Sequence, residues 1–299
     1  MRVAVVGHVE WVSFLPVDAP PHPGVITHAE GGWEEAAGGG GVAAAELARL
    51  AGRATLHTVL GADATGAAAE AQLAGLGVTV AGVRAGAQRR AITLIDPNGE
   101  RTIVVIGVGV GVGVGPGMVD GSALTEADFA GIDAVYFCKG DASALRAARA
   151  ARVLVATARV LPVLQAAGVA LDALVHSARD AGERYAPGDL SPAPRLVATT
   201  EGADGGRFTT ADGRRGRWAA VPAGPGAAEG DAYGAGDTFA AALTYALARG
   251  DAPEEALACA ATRAAAALGR RGAHGVSAPD ARPADAGYGR SVAPTSPGA

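Results

Sequence analysis

A chain of 299 residues is long enough for one large α/β domain or two smaller ones, and either can bury a full core. Apolar residues make up 49% of it but aromatic ones only 4%, so Ala, Val and Leu must supply most of the packing. The net charge is −5 and no run of Lys or Arg occurs, which excludes nucleic acid or an anionic membrane as an electrostatically recruited partner.

The first predicted strand is 2–6, closing in Gly7-His8-Val9. Its apolar run is too short for a signal peptide and is interrupted by Glu10. No stretch approaches an uncharged membrane-spanning length. Cys138 and Cys259 lie far apart in apolar contexts, and no Cys/His metal spacing appears. Buried thiols in a cytoplasmic protein are the expectation.

Residues 37–44, A-G-G-G-G-V-A-A, open a helix predicted over 42–50. A dinucleotide-binding loop is an alternative, but no strand immediately precedes these glycines and the first strand lacks the required spacing. A turn packed closely against the sheet reads equally well. A strand at 55–60, a helix at 67–76 and a strand at 78–83 follow, with G-A-D-A-T-G at 61–66 as a helix-capping turn. The runs 91–96 and 100–106 flank Pro97-Asn98-Gly99, whose Asn-Gly step predicts a hairpin. The alternating Gly-Val tract at 107–117 carries a high ordering cost and predicts a linker.

Strands at 134–137, 153–156, 174–176 and 196–199, with a helix at 142–151, continue the alternation. Such alternation implies a mostly parallel sheet covered on both faces. Two further segments have ambiguous chemistry. Asp180 and Glu183 form a D-x-x-E pair that reads as a capping box. Thr200-Glu201-Gly202-Ala203-Asp204-Gly205 reads as a Gly-rich hairpin turn. Past residue 279 the Ala, Pro, Gly and Ser content predicts a poorly ordered tail.

Residues 230–239, G-D-A-Y-G-A-G-D-T-F, are the most informative segment. Gly234, Ala235 and Gly236 precede Asp237 at the entrance of a helix running to Arg249. Unpaired amides and the positive end of the helix dipole make such an entrance an anion site. A carboxylate beside it suits a general base that takes a proton from an attacking hydroxyl. An ordinary Asp-containing helix start is the alternative.

The segment D-A-Y-G-A-G-D-T-F resembles the D-T-x-G-A-G-D-x-F signature of the ribokinase/PfkB carbohydrate kinase family, and the resemblance extends over nearly the whole chain with motifs in family order. It implies a three-layer α/β/α fold with a mostly parallel central sheet. A single domain over 1–279 would carry a small β lid from about 11–30 and 84–107, followed by a disordered tail at 280–299. It further implies an ATP-dependent sugar or polyol kinase, with Asp237 as base and the amides of Gly234, Ala235 and Gly236 holding the phosphoryl group. Thr200, Gly202, Gly205, Gly272 and Ala273 would line the nucleotide site. Glu183 matches the family's N-x-x-E motif and Asp180 stands in place of its Asn; the pair would organise Mg²⁺, and Asp231 a monovalent cation such as K⁺. Gly38, Gly39, Val42 and Glu10 fall where the family contacts its acceptor, a small molecule, and a homodimer is compatible with the family.

Two departures bear on the acceptor. Val42 stands where the family presents Asn, and counting from Gly7 to the family's sugar-binding Asp reaches Val12. An apolar wall at these points implies an acceptor less hydroxylated on that face than ribose. A nucleoside kinase is the nearest alternative, with Trp11 or Trp33 as stacking residues. A kinase-like ligand-binding or regulatory protein without turnover is the alternative from another class.

Overall fold

Strand β1 (Val3–Val6) shows how the layers arise: Val3 and Val5 pack on one face of the sheet, Ala4 and Val6 on the other, and all four are buried. A strand buried on both faces requires helices on both faces. The computed structural model describes residues 1–106, 121–224 and 230–275. The Gly-Val tract at 107–117 and the tail at 280–299 lie outside the described residues.

After β1 the chain forms β2 (Glu10–Pro16), β3 (Trp33–Ala37), α1 (Gly38–Ala51), β4 (Ala54–Leu60), α2 (Ala64–Gly75) and β5 (Val78–Arg84). The hairpin β6 (Arg90–Ile95) and β7 (Arg101–Ile106) follows. Next come α3 (Glu126–Phe129), β8 (Ala134–Phe137), α4 (Ala142–Ala148), β9 (Val153–Thr157) and α5 (Leu161–Ala167). Strands β10 (Ala173–Ser177), β11 (Leu196–Thr200), β12 (Gly206–Thr210) and β13 (Arg215–Trp218) precede the two long helices α6 (Ala235–Arg249) and α7 (Pro253–Leu268).

The main sheet runs β13-β12-β11-β10-β9-β8-β1-β4-β5, parallel except for β12 and β13. Helices α1, α2, α6 and α7 pack on one face and α3, α4 and α5 on the other. The fold is the three-layer α/β/α arrangement. The second sheet, β3-β2-β6-β7, contains the expected hairpin, with Gly99 at φ +75° and the Asp96 carboxylate accepting from the amides of Asn98 and Glu100. The sheet draws β2, β6 and β7 from the segments 11–30 and 84–107 and adds β3, which lies outside both. Its hairpin turn reaches the main body, where the Ala232 amide donates to the Gly99 carbonyl at 3.1 Å.

Three details differ from expectation. Helix α1 starts at Gly38 rather than at residue 42, because its glycine-rich first turn is held by tertiary contact. A Cβ on Gly40 would lie 2.7 Å from the Gly7 and His8 backbone, so helix and strand end touch with no side chain between them. Strand β13 was not foreseen, and β12 follows the hairpin turn read at 200–205; both are short. Of the two thiols, Cys138 is buried but Cys259 is only partly so.

Candidate active site

The carboxyl ends of parallel strands collect the site, as the alternation of the fold requires. From β1 come Gly7 and His8; from β8, Cys138 and Lys139; from β9, Arg159; from β10, the loop carrying Asp180 and Glu183; from β11, Thr200. Helix α6 enters this region end-on. Gly234 is its N-cap at φ +70°, a left-handed conformation that favours glycine, and no side chain caps the helix. A Cβ on Gly236 would meet nothing within 4 Å. The Ala235 amide makes a long bond to the Ala232 carbonyl at 3.5 Å, and a helix start without a side-chain cap among the described residues is an anion site in physical terms.

Asp237 lies in the first turn of α6, half-buried. Burial, reinforced by the charge of Glu183, pushes its carboxyl up to about 6, while Arg159 and Arg101 pull in the opposite direction. The Tyr136 hydroxyl donates to its Oδ1 at 3.5 Å, a weak bond. Asp237 is therefore a carboxylate of raised basicity at neutral pH, the state in which an acid can accept a proton.

Of the expected acceptor contacts, Gly39 comes next to this base: a Cβ on it would lie 3.0 Å from Asp237 Oδ1. The Gly38 amide donates to the Tyr233 hydroxyl at 3.2 Å. Glu10 is buried and accepts from Arg89 Nε at 2.6 Å. Val42 is placed differently. It is 2% exposed and sits in an apolar cluster with Val12, Phe14 and Tyr233, where its methyl groups buttress Gly234. It bears on the site through the anion loop and does not face open space.

His8 was missed by sequence reasoning. Its Nε2 accepts weakly from the Gly39 amide at 3.4 Å, and its buried Nδ1 has no partner among the described residues. Burial and the charges of Arg89, Lys139 and Arg159 hold its pKa down to about 3, so it is neutral. The G-H step ending the first strand was the available signal. Arg101 and Arg159 were also missed, each an isolated Arg with no motif around it.

The segment Thr200–Gly205 forms the turn of the β11–β12 hairpin, closed by the Glu201 amide on the Gly205 carbonyl at 2.8 Å. Gly202 (φ +65°) faces the Arg179 guanidinium. Thr200 pairs in register with Ser177, at the root of the acidic loop. Beside that loop lies a cavity of about 490 Å³ whose lining includes Asp180, Arg179, Arg184 and Arg207.

Neither expected cation position fits a metal. Asp180 Oδ1 caps the Gly182 amide at 2.7 Å, and Glu183 Oε2 accepts from the Ser177 amide at 2.9 Å. Their remaining oxygens both accept from Arg159 Nη2, at 2.5 Å and 2.8 Å. The Arg159 bond and the Gly182 amide hold the Asp180 carboxyl below its ordinary value. Asp231 accepts from the Tyr233 and Gly272 amides at 2.8 Å and 2.7 Å, and Glu35 of β3 accepts from the Ala273 amide at 2.6 Å. Backbone N–H groups, which repel cations, therefore face both Asp231 and Glu35. Among the described residues no group of three or more His, Cys, Asp or Glu could hold a metal ion, and no helix is long and apolar enough to cross a membrane.

None of the proteins of curated function matches the sequence significantly. Solved structures do resemble the fold. A ribokinase from Arabidopsis thaliana, complexed with ribose and ATP, aligns with 21% identity and a TM-score of 0.67 over 88% of this chain and 91% of that one. A ribokinase from Thermotoga maritima aligns with 19% identity and a TM-score of 0.72, covering 92% and 95%. The adenosine kinase of Sinorhizobium meliloti aligns with 18% identity and a TM-score of 0.71, covering 91% and 95%. The profile described as the pfkB family carbohydrate kinase matches residues 2–168 and 171–281. With that match over nearly all of a chain whose helix α6 starts uncapped beside a half-buried acid, the protein belongs to the pfkB family of carbohydrate kinases.

Proposed function

We propose that the protein transfers the terminal phosphoryl group of ATP to a hydroxyl of a small sugar or related polyol. The observation that carries this reading is Asp237, raised to about 6 at the open end of α6. The acceptor hydroxyl would lie beside Asp237, next to the space a side chain on Gly39 would fill, and give its proton to the carboxylate as its oxygen attacks. The amides at the start of α6 would hold the transferring group, and the charges of Arg101 and Arg159 would offset charge spread over its oxygens. A divalent ion would arrive on the nucleotide, since the described residues offer it no cage. The lid would close over the acceptor and limit hydrolysis by water.

The adenosine kinase likeness gives a nucleoside acceptor the second place. Both candidate stacking rings are engaged: Trp33 stacks on Phe14 and lies under the Arg271 guanidinium, and Trp11 packs against the main core. This favours the sugar or polyol reading. The test is ATP consumption across sugars, polyols and nucleosides, with Asp237→Asn as the blank. Loss of a positioned base should lower turnover by about 10²–10⁴-fold. Near wild-type turnover in the variant would remove Asp237 from the chemistry, and a preference for nucleosides would reverse the order of acceptors.

A further inference from the structure

Arg159, whose charge enters the chemistry above, is joined to an acidic pair that this chemistry does not by itself require. The acids project from the short turn after β10, and Arg159 from the turn after β9, the neighbouring parallel strand. A single guanidinium nitrogen, Nη2, bridges Asp180 Oδ2 and Glu183 Oε1. The other oxygen of each acid is fixed by a backbone amide, so neither carboxylate can swing away without breaking a second bond. Gly182 lets the guanidinium lie close: a Cβ there would stand 3.3 Å from Arg159 Nη1. Among the described residues the Nη1 and Nε donors of Arg159 have no acceptor, so they stay available to an anionic ligand. Its charge reaches both Asp237 and His8.

Hard divalent cations take oxygen ligands, often carboxylates, and a D-x-x-E pair could supply two. Here a permanent cation already sits between them, and a second positive charge at the same oxygens would be repelled. An Arg cannot be deprotonated in a protein, so this charge is present at every working pH. We infer that Arg159 is the built-in cation of this pair, and that the chain supplies a fixed positive charge beside the transfer site where it binds no divalent ion of its own. The metal-binding part of this inference stands independently of phosphoryl transfer; its catalytic consequence rests on the kinase reading.

The test is titration of the full chain, without nucleotide, with Mn²⁺ followed by electron paramagnetic resonance. The wild type should show no stoichiometric site. Arg159→Gln should gain one Mn²⁺ per chain, Arg159→Lys should gain none, and adding Glu183→Gln to Arg159→Gln should abolish the new site. Thermal melts establish that each variant is folded. A wild-type site that Glu183→Gln removes would overturn the inference, and so would a folded Arg159→Gln that gains nothing. If Arg159→Gln does not fold, the wild-type titration with and without Glu183→Gln decides alone. In a second arm, turnover at fixed MgATP should be indifferent to excess free Mg²⁺ in the wild type and rise with it in Arg159→Gln. Absence of turnover with every acceptor would count against the kinase reading and leave the Mn²⁺ result standing.

Discussion

Asp237 is costly to the fold for the same reason that it suits a base. Its carboxyl has a reference value of 3.8 and a folded value of about 6. Between these two values the folded state holds a proton that the unfolded state has lost, so stability falls as pH rises from about 4 through about 6. Activity should move the other way, rising through pH 6 as the base ionises and levelling above it. Asp237→Asn escapes the stability cost. We expect it to be more stable than wild type at pH 8 by about 1–3 kcal/mol, and indistinguishable at pH 4. Chemical denaturation at the two pH values measures this, and equal stability at pH 8 would show that the acid is better solvated than its surroundings suggest. The acid was legible in the sequence because its neighbours are small and it opens a helix. The basic residues near it were not, because Arg101, Lys139 and Arg159 come from three separate strand ends and meet only in the folded chain.

Elements were readable wherever hydrophobic period and length agreed. Strand 134–137 is found as expected, and the Asn98-Gly99 turn gave the β6–β7 hairpin. The start of α1 was not readable, because four glycines oppose a helix locally and only the contact with Gly7 and His8 repays them. The tie between β3 and the loop after α7 was equally hidden, being a contact between residues 238 positions apart. Glu35 makes this tie while 2% exposed, and burial, together with the charge of Asp231, raises its carboxyl to about 7 against the pull of its backbone bonds. Its folded value again lies above its reference of 4.5, so the proton is held on folding and stability drops as pH passes from about 4.5 through 7. Glu35→Gln keeps an oxygen for the Ala273 amide and removes the charge. Its melting temperature should exceed the wild-type value at pH 8.5 and match it at pH 5. A variant destabilised at both would mean that the tie works as a carboxylate throughout.

Across the whole molecule, the low aromatic content has a structural counterpart. Helices α1, α6 and α7 bury long runs of Ala against the sheet and one another, so backbones approach closely and one misplaced charge between them cannot be absorbed by adjustable side chains. Glu46 of α1 is such a charge, fully buried, and its position in a helix of Ala and Leu gave no sign of its partners. Arg263 of α7 donates to it at 2.5 Å, Arg49 at 3.4 Å, and Arg270 stands 3.7 Å away. Arg49 also donates to the His274 carbonyl at 3.1 Å, so the cluster fixes the loop whose amides hold Asp231 and Glu35. Glu46→Gln would leave three guanidinium groups facing one another without a counter-charge. Removing one partner of a buried pair costs about 3–5 kcal/mol. The guanidinium groups here keep some contact with water, so we place the loss near 3 kcal/mol, at the lower end of that range. The unfolding midpoint in urea should fall with the slope unchanged, which separates lost stability from an altered unfolded state. Removing Arg270 as well, as Arg270→Met, should recover part of the loss because it relieves repulsion that Glu46 had balanced. A double variant no more stable than Glu46→Gln alone would show that the cost lies in the buried amide and not in the uncompensated charge.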